Sequence, residues 1–220
     1  SIGNGVFDYT AYHNDSDNWA DGILYYEDYL IDIKASKSFS SFDIKEGTKV
    51  VAGGAFSGRS DLISVTIPDS VISVGEYAFS SCVNLTNVTM PDSVVNIGEA
   101  AFMRCYDLDN VVIPKGITKI DDMTFYYCNS LRSITIPASV KAIGDSAFYY
   151  CYALKNVYYD GTEEQWKTIG IGSNNNYLLN ATIHYANPIV ETGKCGDNAT
   201  YTLYADGSLV VSGSGKIDDA

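Results

Sequence analysis

Gly75-Glu76-Tyr77-Ala78-Phe79-Ser80-Ser81-Cys82-Val83-Asn84-Leu85-Thr86-Asn87-Val88-Thr89-Met90-Pro91-Asp92-Ser93-Val94-Val95-Asn96-Ile97 is one unit of a pattern that recurs every 23 residues. Phe56, Phe79, Phe102, Phe125 and Phe148 occupy one position of it, preceded by Ala55, Ala78, Ala101, Thr124 and Ala147. Three residues after the Phe stand Cys82, Cys105, Cys128 and Cys151, with Arg59 in that place in the first unit. Leu62, Leu85, Leu108, Leu131 and Leu154 follow, then Val65, Val88, Val111, Ile134 and Val157, then Ile67, Met90, Ile113, Ile136 and Tyr159. Pro68, Pro91, Pro114 and Pro137 come next, and Asp160 breaks the series. A second apolar pair closes each unit: Val71 and Val74, Val94 and Ile97, Ile117 and Ile120, Val140 and Ile143. Self-similarity at such a period is the mark of a stacked repeat array.

The spacing dictates the local structure. Leu85-x-x-Val88-x-Met90 alternates at its end, as a strand with one buried face does. Pro91 ends the ladder because it has no N–H to donate. Val94 to Ile97 reads as a second short extended piece, Gly98 as a turn, and Glu99-Ala100-Ala101-Phe102 as a single helical turn that drops Phe102 into the core. One unit cannot enclose its own apolar residues, but stacked units can, with strands about 4.8 Å apart. The expected fold is mainly β: a right-handed, slightly curved solenoid with short helical turns, one β-strand column and a short capping helix.

The ends depart from the pattern. Ser1-Ile2-Gly3-Asn4-Gly5-Val6-Phe7 matches Ala142 to Phe148, so the chain opens mid-unit and reads as an excised piece, with any export signal or anchor outside it. Residues 1–41 are irregular first units, in which Gly22 to Ile31 reads as a hairpin turning near Glu27-Asp28. Residues 42–159 carry the regular repeats, resuming at Phe42-x-Ile44 and Thr48-x-x-Val51. Residues 160–187 form an end-cap. Thr162-Glu163-Glu164-Gln165 is a capping box that places Trp166 and Ile169 on a short helix, and 180–185 is a closing strand. Residues 188–220 are a tail with a hairpin signal at Asp206-Gly207, the start of a further module cut off in mid-element.

Composition narrows the function. The chain of 220 residues has 14 Lys and Arg against 27 Asp and Glu, a net charge of −13. Such a surface repels phosphate backbones and anionic lipid, which argues against nucleic-acid binding and for a soluble monomer. No apolar run reaches the roughly 18 residues a membrane helix needs.

Residues able to carry chemistry are few. His13 lies in a polar loop with Asn14, Asp15, Ser16 and Asp17. That loop is a solvated turn, or a weak calcium site on Asp15 and Asp17 whose spacing matches no known loop. His184 sits in the closing strand as a packed or surface residue. Asp121-Asp122 replaces the usual Gly and reads as a turn. There is no C-x-x-C, no Gly-rich phosphate loop and no G-x-S-x-G. No catalytic residue, metal site or cofactor is expected. The repeat cysteines read as buried thiols: an in-register column holds Cβ atoms about 4.8 Å apart and parallel, whereas disulfides want about 3.8 Å and convergence. A line of thiols also cannot converge on zinc. Cys195 has no evident partner.

Tyrosine offers the one candidate surface. Tyr126-Tyr127 and Tyr149-Tyr150 fill the same two positions of adjacent units, where earlier units have Ser57-Gly58, Ser80-Ser81 and Met103-Arg104. The Phe before and the Cys after must point inward, so these rings should point outward. Tyr106 and Tyr152, just after the Cys, would widen the patch. Clustered exposed aromatics mark interaction sites. The alternative is that the rings pack under the cap around Trp166 or shield the core edge. The strand face of Ser64, Thr66, Asn87, Thr89, Asn110, Ser133, Thr135 and Asn156 competes as a site and reads as plain strand surface.

The unit G-x-x-A-F-x-x-C-x-x-L-x-x-V-x-I-P-x-S-V-x-x-I resembles the BspA-type leucine-rich repeat, best matched at Gly75 to Val94 and Gly144 to Val157. The segment Tyr159 to Trp166 resembles the end-cap that follows such arrays in gut Firmicutes, and Cys195-Gly196-Asp197-Asn198 with Asp206-Gly207 resembles the module that often opens the next array. The resemblance implies a leucine-rich-repeat solenoid on a bacterial surface or secreted protein, which makes its Asn-x-Ser/Thr sequons incidental. It implies a binding or adhesion module for a host or bacterial surface protein or a glycan. A structural spacer within a larger surface protein is the alternative. It carries no transferable functional residues.

Overall fold

The computed structural model describes residues 10–34, 36–186, 189–196, 199–204 and 209–213. The opening segment matched to Ala142–Phe148, the Asp206-Gly207 turn and the last seven residues lie outside these.

The chain folds as a mainly β solenoid of stacked repeat coils. The Leu-x-x-Val run of each unit gives a short strand: Ser41–Asp43, Ser64–Thr66, Asn87–Thr89, Asn110–Val112, Ser133–Ile136 and Asn156–Tyr159. Val65, Val88, Val111, Ile134 and Val157 are buried, while the residues on either side are half-buried or exposed. Pairing is parallel and one unit in register, with Val65 beside Val88 and Val111 beside Ile134. The expected single strand column becomes two. Val50–Val51, Ser73–Val74, Asn96–Ile97, Lys119–Ile120 and Ala142–Ile143 are two-residue strands that also pair in parallel. The prolines separate the columns: the carbonyls of Pro68, Pro91, Pro114 and Pro137 each accept the N–H three residues on, closing the turn between strands.

The third side of each coil is not the helical turn the spacing suggested. Gly54, Tyr77, Ala100, Met123 and Ser146 have φ between 53° and 74°, and Gly58, Ser81, Arg104, Tyr127 and Tyr150 have φ between 59° and 76°. Two left-handed residues four apart preclude a helix. They turn alternate N–H groups along the axis instead. Phe79 donates to Ala101 O at 2.8 Å, Phe102 to Thr124 O at 2.9 Å and Phe125 to Ala147 O at 2.9 Å. This corner ladder holds the coils together on their third side, and offsets the roughly 1–2 kcal/mol that each non-glycine left-handed residue costs.

Inside runs the Phe column. Phe56, Phe79, Phe102, Phe125 and Phe148 are fully buried, with successive ring centroids 4.8, 5.3, 5.6 and 5.4 Å apart and near-parallel planes. The four repeat cysteines are free and buried. Their thiols are more than filler: each Sγ donates to the carbonyl of the Phe one coil back, at 3.1 Å for Cys82 to Phe56 and 3.2 Å for Cys105 to Phe79. Arg59 stands where the column begins. Its Nη1 donates to Lys34 O at 2.8 Å and its Nη2 to Lys37 O, serving the irregular carbonyls that precede the array.

Both described ends depart from the repeat. At the start, Trp19–Ala20, Ile23–Tyr26 and Tyr29–Ile33 form an antiparallel meander that turns at Glu27-Asp28 as expected, and earlier at Asp21-Gly22. Its last strand pairs in parallel with Val50–Val51 and so feeds the second column. At the other end the cap is one lengthened coil. The capping box at Thr162 and Gln165 is present, the helix spans Glu163–Trp166, and buried Ile169 falls just after it rather than on it. Gly170–Ile171 then joins the second column and Thr182–Tyr185 the first. Asn175, buried, ends the corner ladder: its Oδ1 accepts the Phe148 N–H at 3.0 Å, where a further unit would present a carbonyl. Its Nδ2 donates to Gly144 O and Gly172 O, both at 2.9 Å. Beyond the cap, Ile189–Gly196, Ala199–Tyr204 and Leu209–Gly213 make a separate antiparallel sheet; its last two strands flank Asp206-Gly207 as a hairpin there requires.

Candidate functional site

The corner positions carry the tyrosines. Because the Phe and the Cys on either side turn inward, the two residues between them face out, and the left-handed backbone of Tyr127 (φ 62°) and Tyr150 (φ 59°) fixes the direction of their rings. The one-unit offset then stacks like on like. Tyr126 lies 5.6 Å from Tyr149 and Tyr127 lies 4.5 Å from Tyr150, centroid to centroid. Tyr149 and Tyr150 approach to 4.0 Å, with their hydroxyls 3.3 Å apart. Tyr152 continues the cluster 5.4 Å from Tyr150, and Tyr177, on the cap helix Asn176–Leu179, closes it 5.3 Å from Tyr152. Five of the six tyrosines singled out by sequence therefore come together, with Tyr177 added. Tyr106 is exposed, and makes no ring contact with the others among the described residues. Trp166 packs instead against Tyr159 at 5.2 Å, so the tyrosines are not gathered around it.

The cluster is half-buried except at Tyr152, which is 56% exposed. Packing shows in its electrostatics. The hydrogen bond to Tyr150 pushes the Tyr149 hydroxyl up to about 12. Desolvation, then the neighbouring tyrosines, raises Tyr127 and Tyr152. The surface is thus uncharged, aromatic and tipped with hydroxyls.

Tyr152 also walls a groove of about 490 Å³ with Asn129, Arg132, Ala153, Lys155 and Asn156. Arg132 pairs with Asp109 at 3.4 Å, while Lys155 makes no ion pair among the described residues. On the far side Asn156 belongs to the strand face, where its Oδ1 lies 2.9 Å from His184 Nε2. His184 in turn stacks on exposed Tyr158, with centroids 4.8 Å apart. His184 is therefore a surface residue. Asn156 thus joins the end of the polar strand face to the groove beside the tyrosine cluster.

A second hollow of about 500 Å³ lies at the other end, lined by His13, Trp19, Asp32, Lys34 and Ser57 among others. Asn14, Asp15, Ser16 and Asp17 are exposed, as a solvated turn requires, and the segment is ordered by local caps and contacts of His13. Thr10 caps the helical turn Ala11–Asn14, His13 Nε2 meets Asp32 at 3.0 Å, and Trp19 Nε1 donates to His13 O at 2.8 Å. Lys34 Nζ lies 4.7 Å over the Trp19 ring. Asp15 caps the next turn by accepting the Asp17 N–H at 3.0 Å. Among the described residues no three His, Cys, Asp or Glu side chains converge to hold a metal ion. Sequence offered no signal for Trp19, Asp32 and Lys34, which lie before the regular units and meet through the meander.

Parallel coils, a continuous Phe column and a closing cap define a repeat scaffold whose surface is set by what each unit places at its corners. Residues 34–157 match the model of the BspA type leucine rich repeat region in 6 copies, and the chain belongs to that family. It is similar to a leucine rich cell surface protein from Faecalibacterium prausnitzii A2-165, at 35% identity and a TM-score of 0.67 over 71% of this chain and 43% of that one. A leucine rich repeat protein of T. pallidum, TpLRR, is 26% identical with a TM-score of 0.57, covering 73% of this chain and 81% of its own. The pneumococcal vaccine antigen PcpA shares the fold at 17% identity and a TM-score of 0.61, over 77% of this chain and 47% of its own. A search of curated proteins finds no match. The chain spans less than half the length of the Faecalibacterium protein. Among the described residues no helix is long and apolar enough to cross a membrane.

Proposed function

We propose that this chain is a binding module of a cell-surface or secreted bacterial protein, and that it engages a protein or glycan through the tyrosine cluster and the groove beside it. The observation that carries the reading is the cluster itself. Three coils earlier in the array fold with Gly58, Ser81 or Arg104 at the position of Tyr127 and Tyr150, so the solenoid does not need rings there. Tyrosine supplies broad apolar area with a polar tip, and two cations, Arg132 and Lys155, and two amides, Asn129 and Asn156, line the adjoining groove. The family resemblance and the cell-surface description of the Faecalibacterium protein support the location. Binding rather than catalysis is favoured because the surface carries no nucleophile–base pair.

A spacer role is the second reading, favoured by the separate antiparallel sheet that follows the cap. We read that sheet as the start of a further module. The two readings part on one experiment. The chain is screened on an array of glycans and surface proteins beside a Tyr127→Ser, Tyr150→Ser double variant, with thermal unfolding of both recorded. Binding lost by a still-folded variant supports the binding module. Binding that survives moves the site elsewhere, and a chain that binds nothing favours the spacer.

A further inference from the structure

One junction in the array is built differently from the rest. Both strand columns are interrupted there: Asn87–Thr89 does not pair with Asn110–Val112, and Asn96–Ile97 does not pair with Lys119–Ile120. Every other adjacent pair of coils, cap included, is joined in both columns. The backbone contact that does span the first column is stretched, with Asp109 N at 3.4 Å from Thr86 O against 2.8 Å for Arg132 N to Asp109 O one coil on. The corner ladder and the Phe column cross the junction intact, with Phe79 and Phe102 stacked at 5.3 Å.

The side chains explain the break. Gly75, Gly98, Gly144 and Gly172 each follow a strand of the second column and lie against the backbone of the coil before. A Cβ would meet Gly53 N at 2.5 Å from Gly75, Glu76 N at 2.6 Å from Gly98, and Asp122 N at 2.5 Å from Gly144. Separations under about 3 Å are not tolerated by backbone. The equivalent residue at this junction is Asp121, which has a Cβ; Ala52, in the same register, also has one, but the strand before it belongs to the opening meander and not to a repeat coil. The coil that carries it must stand off from Gly98 and Glu99. A second device is lost in the same coil. Ser93 Oγ donates to Val71 O at 2.8 Å and Ser139 Oγ to Ile117 O at 2.7 Å, tying each coil to its predecessor. The residue between them in register is Gly116, which has no hydroxyl to give to Val94 O. Where the coils part, a crevice of about 280 Å³ opens between Glu76, Asn96, Glu99, Lys119 and Asp121.

We propose that Asp121 is a wedge and that the junction it opens is a hinge, dividing the solenoid into an N-terminal block ending at Ile97 and a C-terminal block that carries the tyrosine surface. The hinge is held mainly by the corner ladder and the Phe stack; on the strand side the stretched Asp109–Thr86 contact and the exposed Lys115–Asp92 pair cross it, and it opens at the two strand columns. It lets the tyrosine surface tilt against the hollow around Trp19 without unfolding either block.

Amide hydrogen exchange on the intact chain tests this. Lys141 N donates to Thr118 O and Gly144 N to Ile120 O, whereas Thr118 and Asp121 N–H make no such bond to the coil before. Thr118 and Asp121 amides should exchange at least about tenfold faster than those of Lys141 and Gly144, the factor a missing hydrogen bond of ordinary worth allows. Asp121→Gly should slow them to the rate of the other junctions, and Asp121→Ala, which keeps the Cβ, should not. Gly144→Ala should speed exchange of Lys141 by placing a second wedge. Native exchange as slow at Thr118 as at Lys141 overturns the hinge. Equal slowing by Asp121→Gly and Asp121→Ala overturns the wedge, because charge and not bulk would then hold the coils apart.

Discussion

Phe102→Ala strikes the array where its packing is most regular. The ring is fully buried and stacked between Phe79 at 5.3 Å and Phe125 at 5.6 Å, with planes within 3° of parallel. Removing it takes away one large apolar side chain, two aromatic contacts and the wall against which both neighbours rest. Truncating a buried Phe costs about 3–5 kcal/mol when the site cannot collapse. Here collapse is blocked, because the corner ladder fixes the backbone on either side: Phe102 N donates to Thr124 O and Phe79 N to Ala101 O. The upper half of the range is therefore expected, of which the two stacked pairs contribute roughly 0.5–1.5 kcal/mol each. Urea unfolding followed by far-ultraviolet circular dichroism gives the loss as the shift in midpoint times the slope. The two tryptophans add a second reading, since Trp19 sits in the opening meander and Trp166 in the cap. Both should report an earlier transition in the variant. A loss under about 1 kcal/mol for Phe102→Ala, repeated for Phe125→Ala, would refute the idea that the Phe column carries the stack.

Further outcomes follow from single contacts. Asn175→Ala should cost about 1–3 kcal/mol in the same unfolding assay, because it leaves the buried Phe148 N–H and the Gly144 carbonyl without their partners; Asn175→Asp should not rescue it, since a carboxylate cannot donate to Gly144. Burial pushes the Cys82 and Cys151 thiols up to about 12 from 9.0, and holds Cys105 and Cys128 well above that ordinary value. The folded state thus favours the protonated thiol. The stability this gives is complete below pH 9 and lost as pH rises toward 12, by on the order of 4 kcal/mol for Cys82 alone. Melting temperature should fall steeply across that window, and less so in Cys105→Ser. A thiol reagent added to the unreduced, denatured chain should find all four repeat cysteines free, as their geometry requires. Ultraviolet titration should show Tyr149 ionising near pH 12, and Tyr150→Phe should bring it down by removing the hydrogen bond.

Sequence made the stack legible because the apolar positions repeat in register, so one unit read correctly gives them all. The strand at Val88, the Phe column, the buried thiols, the capping box at Thr162 and the turn at Glu27-Asp28 all followed from local pattern. What escaped was whatever depends on the neighbouring coil. Two apolar residues such as Val94 and Ile97 signal no sheet alone; the second column exists because the next unit supplies its ladder. The Glu99 to Phe102 corner has helix-compatible residues, but Ala100 and Arg104 are held left-handed by bonds to the following coil. The Asp21-Gly22 turn carried the dipeptide signal read at Asp206-Gly207, and was missed because its first strand, Trp19–Ala20, is only two residues long. At the candidate surface, spacing brought Tyr126, Tyr127, Tyr149, Tyr150 and Tyr152 together correctly. It misplaced Tyr106, since Asn129 stands at its position in the coil between and no ring bridges the gap. It could not see Tyr177, which reaches the cluster from a cap whose offset is not 23. The Asp121 exception was visible in sequence, yet its meaning depended on how closely Gly98 and Gly144 approach the coil before.

Tyr152 offers the cleanest way to ask whether the aromatic surface binds. It is more than half exposed, belongs to both the cluster and the groove, and anchors no buried group. Surface plasmon resonance of the chain over the ligand found on the array, compared with Tyr152→Ser, reads its contribution as a dissociation constant. Truncating an aromatic anchor at the centre of an interface costs about 2 kcal/mol or more, so affinity should fall roughly thirtyfold while the melting temperature holds. An unchanged dissociation constant in a variant that melts with the native chain would place the binding surface elsewhere on the solenoid.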